Sequence, residues 1–103
     1  MSKLPIKEPL NIVCLEADIN YTIFHLNNGK KVVSSFTLKR FEERPEFSHY
    51  LRVNRGTLVN PAFIKAIETN GKTKEVLLFN GQVFNVSRRR LEVVSNLAQL
   101  KVS

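Results

Sequence analysis

The sequence predicts a mainly β, antiparallel fold, and three observations carry that expectation. Asn28-Gly29, Asn70-Gly71 and Asn80-Gly81 punctuate the chain with residue pairs that tolerate the left-handed backbone angles of tight hairpin turns. The runs between them are short and rich in β-branched and aromatic residues. Helical spacing of apolar residues is confined to two stretches, near 37–44 and near 88–100. Turn signals this regular favour a β-rich sheet over alternating strand–helix–strand units.

Taken in order, residues 1–9 read as an N-terminal arm, because two prolines and two lysines hinder a long central strand. Residues 10–103 read as one domain. Leu10–Ala17 is a β-branched, apolar strand followed by a polar turn at Asp18–Asn20. Tyr21–Leu26 and Lys30–Phe36 form a hairpin about Asn27-Asn28-Gly29. Thr37 is placed to cap a short helix, Leu38–Glu43, with Leu38 and Phe41 on one face and Pro45 ending it. Asn60-Pro61 has the form of a cap followed by a first-turn proline, enough for a single helical turn. Phe63–Glu68, Glu75–Phe79 and Gln82–Val86 are strands joined at Asn70-Gly71 and Asn80-Gly81. In the C-terminal helix, Leu91, Val94, Leu97 and Ala98 share a stripe, with Ser87 as its cap. Phe24, Phe36, Phe41 and Phe79 all fall on apolar faces, so the sequence places them inward.

With 103 residues and 43% hydrophobic content, the chain supports one domain with its own core. Apolar runs are too short to span a bilayer, and the first residues carry no apolar secretion signal. A single cysteine, Cys14, leaves no internal disulfide framework, which fits a cytoplasmic location. Inside the apolar run Ile12–Leu15 it reads as a small core residue.

Chemistry is not visible in the residue pattern. His25 and His49 lie apart, and no His, Cys, Asp or Glu cluster has metal-ligand spacing along the chain. Ser87 lacks the strand–turn–helix setting of a nucleophile, and no glycine-rich loop opens a helix. Glu42, Glu43 and Glu46 read as a solvated helix face. The sequence thus points to no enzyme, metal, cofactor, small-molecule substrate or membrane partner.

Charge is informative by its distribution. The net charge is +7, and between positions 52 and 90 only Glu68 and Glu75 oppose Arg52, Arg55, Lys65, Lys72, Lys74 and Arg88–Arg90. A one-sided basic surface is an electrostatic footprint for a polyanion. In RVNRGTLVN (52–60), Val53, Leu58 and Val59 anchor a strand-like segment, while Arg52, Asn54 and Arg55 are displayed near a bend at Gly56. In NVSRRRL (85–91), three arginines stand where a helix begins; cations there oppose the helix dipole unless an anion is near. Charge-protected strand edges and well-solvated surfaces would produce the same residues. From the residues alone, three readings stay open: a duplex-DNA binder, a general nucleic-acid (RNA) module, and a basic protein-interaction domain.

Four ordered segments resemble the LytTR DNA-binding domain of bacterial transcription regulators. They are LEADINYTIFHLNNGKKVV (15–33), SFTLKRFEE (35–43), RVNRGTLVNPAFIKAI (52–67) and FNGQVFNVSRRRLEVV (79–94). Asn54 stands where the family usually has histidine, Gly56 where it has serine, and Thr57 where it commonly has a bulky residue. The resemblance implies an elongated antiparallel β fold that lays loops, rather than a recognition helix, into DNA grooves. It implies base contacts from Asn20, Arg55 and Arg89, with Arg52, Asn54, Thr57, Arg88 and Arg90 contacting phosphates or supporting the loops. Arginine suits guanine and asparagine suits adenine, each through paired hydrogen bonds. The implied partner is double-stranded DNA, with two copies of the chain on repeated half-sites. No receiver or sensor domain lies within the 103 residues, which leaves open a free-standing regulator or one piece of a larger one.

Overall fold

In the computed structural model, which describes residues 11–91 and Val94, a five-stranded sheet is covered on one face by a helix and on the other by a three-stranded sheet. The strands are β1 (Ile12–Asp18), β2 (Tyr21–Leu26), β3 (Lys31–Ser34), β4 (Leu51–Asn54), β5 (Thr57–Val59), β6 (Ile64–Asn70), β7 (Thr73–Leu78) and β8 (Val83–Asn85), and the helix α1 is Leu38–Glu42. The large sheet has the order β3-β2-β1-β5-β4 and the small one β6-β7-β8, with every neighbouring pair antiparallel. The principal extents, 41 × 25 × 22 Å, make the fold elongated.

The hairpins form where the turn residues place them. Gly29 (φ 87°) and Gly81 (φ 91°) take left-handed angles that a side chain would resist. Around the first, Lys30 N–H donates to Asn28 Oδ1 (2.9 Å) and Leu26 N–H to the Lys30 carbonyl (2.9 Å), fixing the β2–β3 register.

Two cores sandwich β1. Ile12, Leu15, Phe24, Leu58, Leu38, Phe41 and Phe47 pack between the large sheet and α1. Val13, Cys14, Val53 and Val59 pack with Ile64, Val76, Leu78 and Val86 of the second layer. A register shift between Ile12 and Cys14 explains why four consecutive residues are buried. The irregularity breaks strict alternation, so Val13 and Cys14 both face the small sheet while Ile12 and Leu15 face the helix. Phe24 and Phe41 meet edge-on with ring centroids 4.8 Å apart, and Phe41 meets Phe47 at 6.1 Å in the same manner.

Asn60 is the cap the sequence suggests. Its side chain accepts from Ala62 N–H (3.1 Å) and donates to the Ile12 carbonyl (2.8 Å), so a buried amide ties the turn Pro61–Phe63 to β1. Three expectations are corrected. Thr37 occupies the cap position of α1 but makes no side-chain capping bond; its carbonyl accepts from Arg40 N–H instead (3.1 Å). Ser87 likewise caps by position only, because Arg88–Arg90 form a 3-10 turn rather than the first turn of an α-helix. Phe79 is 66% exposed: with Val76 and Leu78 buried, the chain is out of phase for a third inward side chain before the Asn80-Gly81 turn. Leu91 and Val94 are helical, whereas the arm 1–9 and the remainder of the expected C-terminal helix, positions 92, 93 and 95–100, lie outside the described residues.

Candidate nucleic-acid interface

Strand register decides which turns meet. β1 runs outward to Asp18 and β5 runs inward from Thr57, and the two pair through Glu16 opposite Thr57. The β1–β2 turn (Ile19, Asn20) and the β4–β5 turn (Arg55, Gly56) therefore emerge at the same end of the large sheet. Ala17 N–H donates to the Gly56 carbonyl at 2.8 Å and joins them. The third segment is tied in from the small sheet. Asn54 Nδ2 donates to the Asn85 carbonyl (2.8 Å), and Ser87 N–H donates to the Val53 carbonyl (2.9 Å). Asn20, Arg55 and Arg89, far apart in sequence, thus sit on three segments linked by backbone hydrogen bonds, and all three are exposed.

Arg52 organises the middle turn from behind. It is not displayed: its side chain folds back with 14% exposure, Nε donating to the Asn54 carbonyl (2.9 Å) and Nη2 to the Arg55 carbonyl. Nη1 pairs with Glu42 Oε1 on α1 at 2.5 Å. Glu42 is consequently a half-buried partner and not part of a solvated face, while Glu46 pairs with Arg44 at 3.0 Å, which holds its carboxyl below the usual range. Asn54 is committed at both ends, since its Oδ1 also accepts from Gly56 N–H (2.9 Å). Thr57 is buried in the β1–β5 ladder. Gly56 has an ordinary φ, and a Cβ added there would meet nothing closer than 4.0 Å, so the turn has room for the family's serine.

Arg88 and Arg89 are exposed and Arg90 is half-buried. They form one 3-10 turn that leads directly into the helical residue Leu91, and their positive field comes from side-chain charge.

This division of labour gives a direct expectation. Arg52→Met removes three hydrogen bonds that hold two turn carbonyls and Glu42, and should lower stability to urea by roughly 1–3 kcal/mol. If Arg52 acts as a brace, the salt dependence of DNA binding should keep its slope. A slope reduced by about one would instead make it a phosphate contact.

A model of the LytTr DNA-binding domain matches residues 3–99. The chain belongs to that family. The structure of a LytTr DNA-binding domain from a response regulator of Bacillus cereus superposes with a TM-score of 0.75 at 23% identity, covering 91% of this chain and 85% of that one. No curated protein sequence matches significantly.

Two features of this LytTr domain escaped sequence reasoning. One is Ile19, at the tip of the first turn, 93% exposed with a left-handed φ of 55°; the only signal was an isoleucine inside an otherwise polar turn. The other is a cross-strand cluster. Linear spacing hid it, but Cys14 lies opposite His25 across the β1–β2 ladder, and Glu16 follows two residues on along β1. One ligand-type atom from each lies within 4.8 Å of the others.

Most of the cluster's polar atoms are matched among themselves. His25 Nε2 lies 2.6 Å from Glu16 Oε1 but makes no hydrogen bond with it. Gln82 Nε2 donates to Glu16 Oε1 (3.3 Å), and the Cys14 thiol donates to Gln82 Oε1 (3.6 Å). Burial, with the Glu16 carboxylate second, pushes the thiol up to about 12. Cys14 should therefore resist a thiol reagent at pH 8 in the folded protein and react at once in denaturant; rapid labelling of native protein would contradict that placement.

Proposed function

We propose that this LytTr domain is a sequence-specific reader of double-stranded DNA in bacterial transcription regulation. Its three linked segments enter the grooves of one duplex. The observation that supports this reading most is their junction: Asn20, Arg55 and Arg89 are exposed on turns tied together by the Ala17–Gly56, Asn54–Asn85 and Ser87–Val53 hydrogen bonds. Donors held on a braced frame lose little conformational freedom when they meet base edges. In this reading Asn20, Arg55 and Arg89 select sequence, and Arg88 and Arg90 neutralise phosphates and fix register. Arg52, Asn54 and Thr57 support the loops. The protein acts in the cytoplasm, two copies occupying repeated half-sites.

A competition among duplex DNA, single-stranded DNA and RNA tests the reading. Duplex should compete best. Preference for RNA would favour base stacking on exposed aromatics, for which Phe79, Tyr21 and His49 are available among the described residues. No duplex binding even at low salt would favour an acidic protein partner. Arg88→Ala should weaken binding to all sequences alike and reduce the slope of log K against log salt by about one. Selective loss on one site sequence would instead make Arg88 a base reader.

A further inference from the structure

We propose that Ile19 is an apolar reader of sequence, its side chain lying against a thymine methyl group in the major groove of the bound duplex. This rests on the DNA-reading role proposed above and names one further contact in it.

Among the described residues, Ile19 is the one non-glycine residue with a positive φ, 55°. A β-branched side chain is poorly suited to that angle, which glycine, asparagine or aspartate would adopt with less strain. Asp18 and Asn20 flank it, so residue types that relax the turn stand on either side. Packing gives nothing in return, because 93% of Ile19 is exposed. Backbone strain and an aliphatic side chain in water thus coincide at a turn tip, where a contact outside the chain would account for both.

The surroundings narrow that contact. The turn is joined through Ala17 and Gly56 to the segment bearing Arg55. Its exposed neighbours Asp18 and Asn20 are polar, so Ile19 is a single apolar group on a polar tip and not part of a broad hydrophobic patch. Asp18 beside it disfavours a phosphate contact, and an aliphatic side chain has no donor to offer one. The apolar group that duplex DNA presents in its major groove is the thymine C5-methyl. Isoleucine offers a rigid, branched counterpart with little rotamer freedom left to lose.

The test uses the preferred duplex and a series in which each thymine in turn is replaced by deoxyuracil, which lacks only the methyl. Affinities are measured by fluorescence anisotropy for the parent protein and Ile19→Gly. At one position the replacement should weaken the parent about fourfold, the value of one buried methyl. Ile19→Gly should bind the thymine duplex roughly tenfold more weakly and be indifferent to that replacement. Its Tm should rise by about a few degrees as the turn relaxes, which separates lost contact from lost folding. A flat replacement series for a parent protein that still prefers its site would overturn the assignment of Ile19 and leave the DNA reading standing. So would an Ile19→Gly variant with parental affinity, or one that keeps the same methyl sensitivity. Failure of the parent to bind any duplex would overturn both.

Discussion

Arg55→Ala and Arg89→Ala should each weaken binding to the preferred duplex by about 1–3 kcal/mol, roughly 5- to 150-fold, while leaving the fold intact. The reason is a contrast between neighbours. Arg52, three residues before Arg55, spends its guanidinium on the Asn54 and Arg55 carbonyls and on Glu42. The Arg55 and Arg89 side chains are exposed and have no hydrogen bond or ion pair among the described residues. Removing them costs the folded domain almost nothing, whereas a bidentate contact with guanine leaves base acceptors unpaired when it is lost. Titration of the preferred duplex and of one mutated at each guanine separates roles. Each variant should lose discrimination at one position and keep it elsewhere. Equal losses on every sequence would make these residues phosphate contacts.

Phe41→Ala should cost about 3–5 kcal/mol of stability. Phe41 is 1% exposed, seated under the large sheet with edge contacts to Phe24, Phe36 and Phe47. Truncation would open a cavity between the sheet and α1 that these rings cannot fill without leaving their own contacts. A domain of this length holds only about 5–15 kcal/mol in total, so the loss is a large share and should lower Tm by about 4–8 °C per kcal/mol. Urea denaturation measures it; a change below about 1 kcal/mol would show that the helix layer is not a packed core. The same helix carries Glu42, the partner of Arg52, so loosening it should also loosen the Arg55 turn. Below its melting point the folded fraction should keep the parental sequence preference.

Local chemistry made much of this fold legible. Asn28-Gly29, Asn70-Gly71 and Asn80-Gly81 mark hairpins because left-handed angles are a property of two residues, and all three glycines take them. Asn60-Pro61 was readable because a capping side chain followed by a first-turn proline is equally local. What escaped depends on register. Glu42 and Arg52 meet only because α1 covers the large sheet, and Cys14, Glu16 and His25 meet only once β1 and β2 are paired. The shift between Ile12 and Cys14 left no trace in an apolar run that would look the same without it. At the candidate interface, the sequence supplied the arginines but not their division between display and bracing. Arg52 and Arg55 belong to one short motif, and the direction of the fork is set by carbonyls that point inward only in the folded turn.

Selection of bound duplexes from a random library tests the central claim, that the three linked segments read DNA sequence, more directly than any single variant. The expected outcome is an enriched motif with positions that lose their information one at a time in Arg55→Ala and Arg89→Ala. A bound pool no different from the starting library, at salt low enough for binding to be measured, would contradict it.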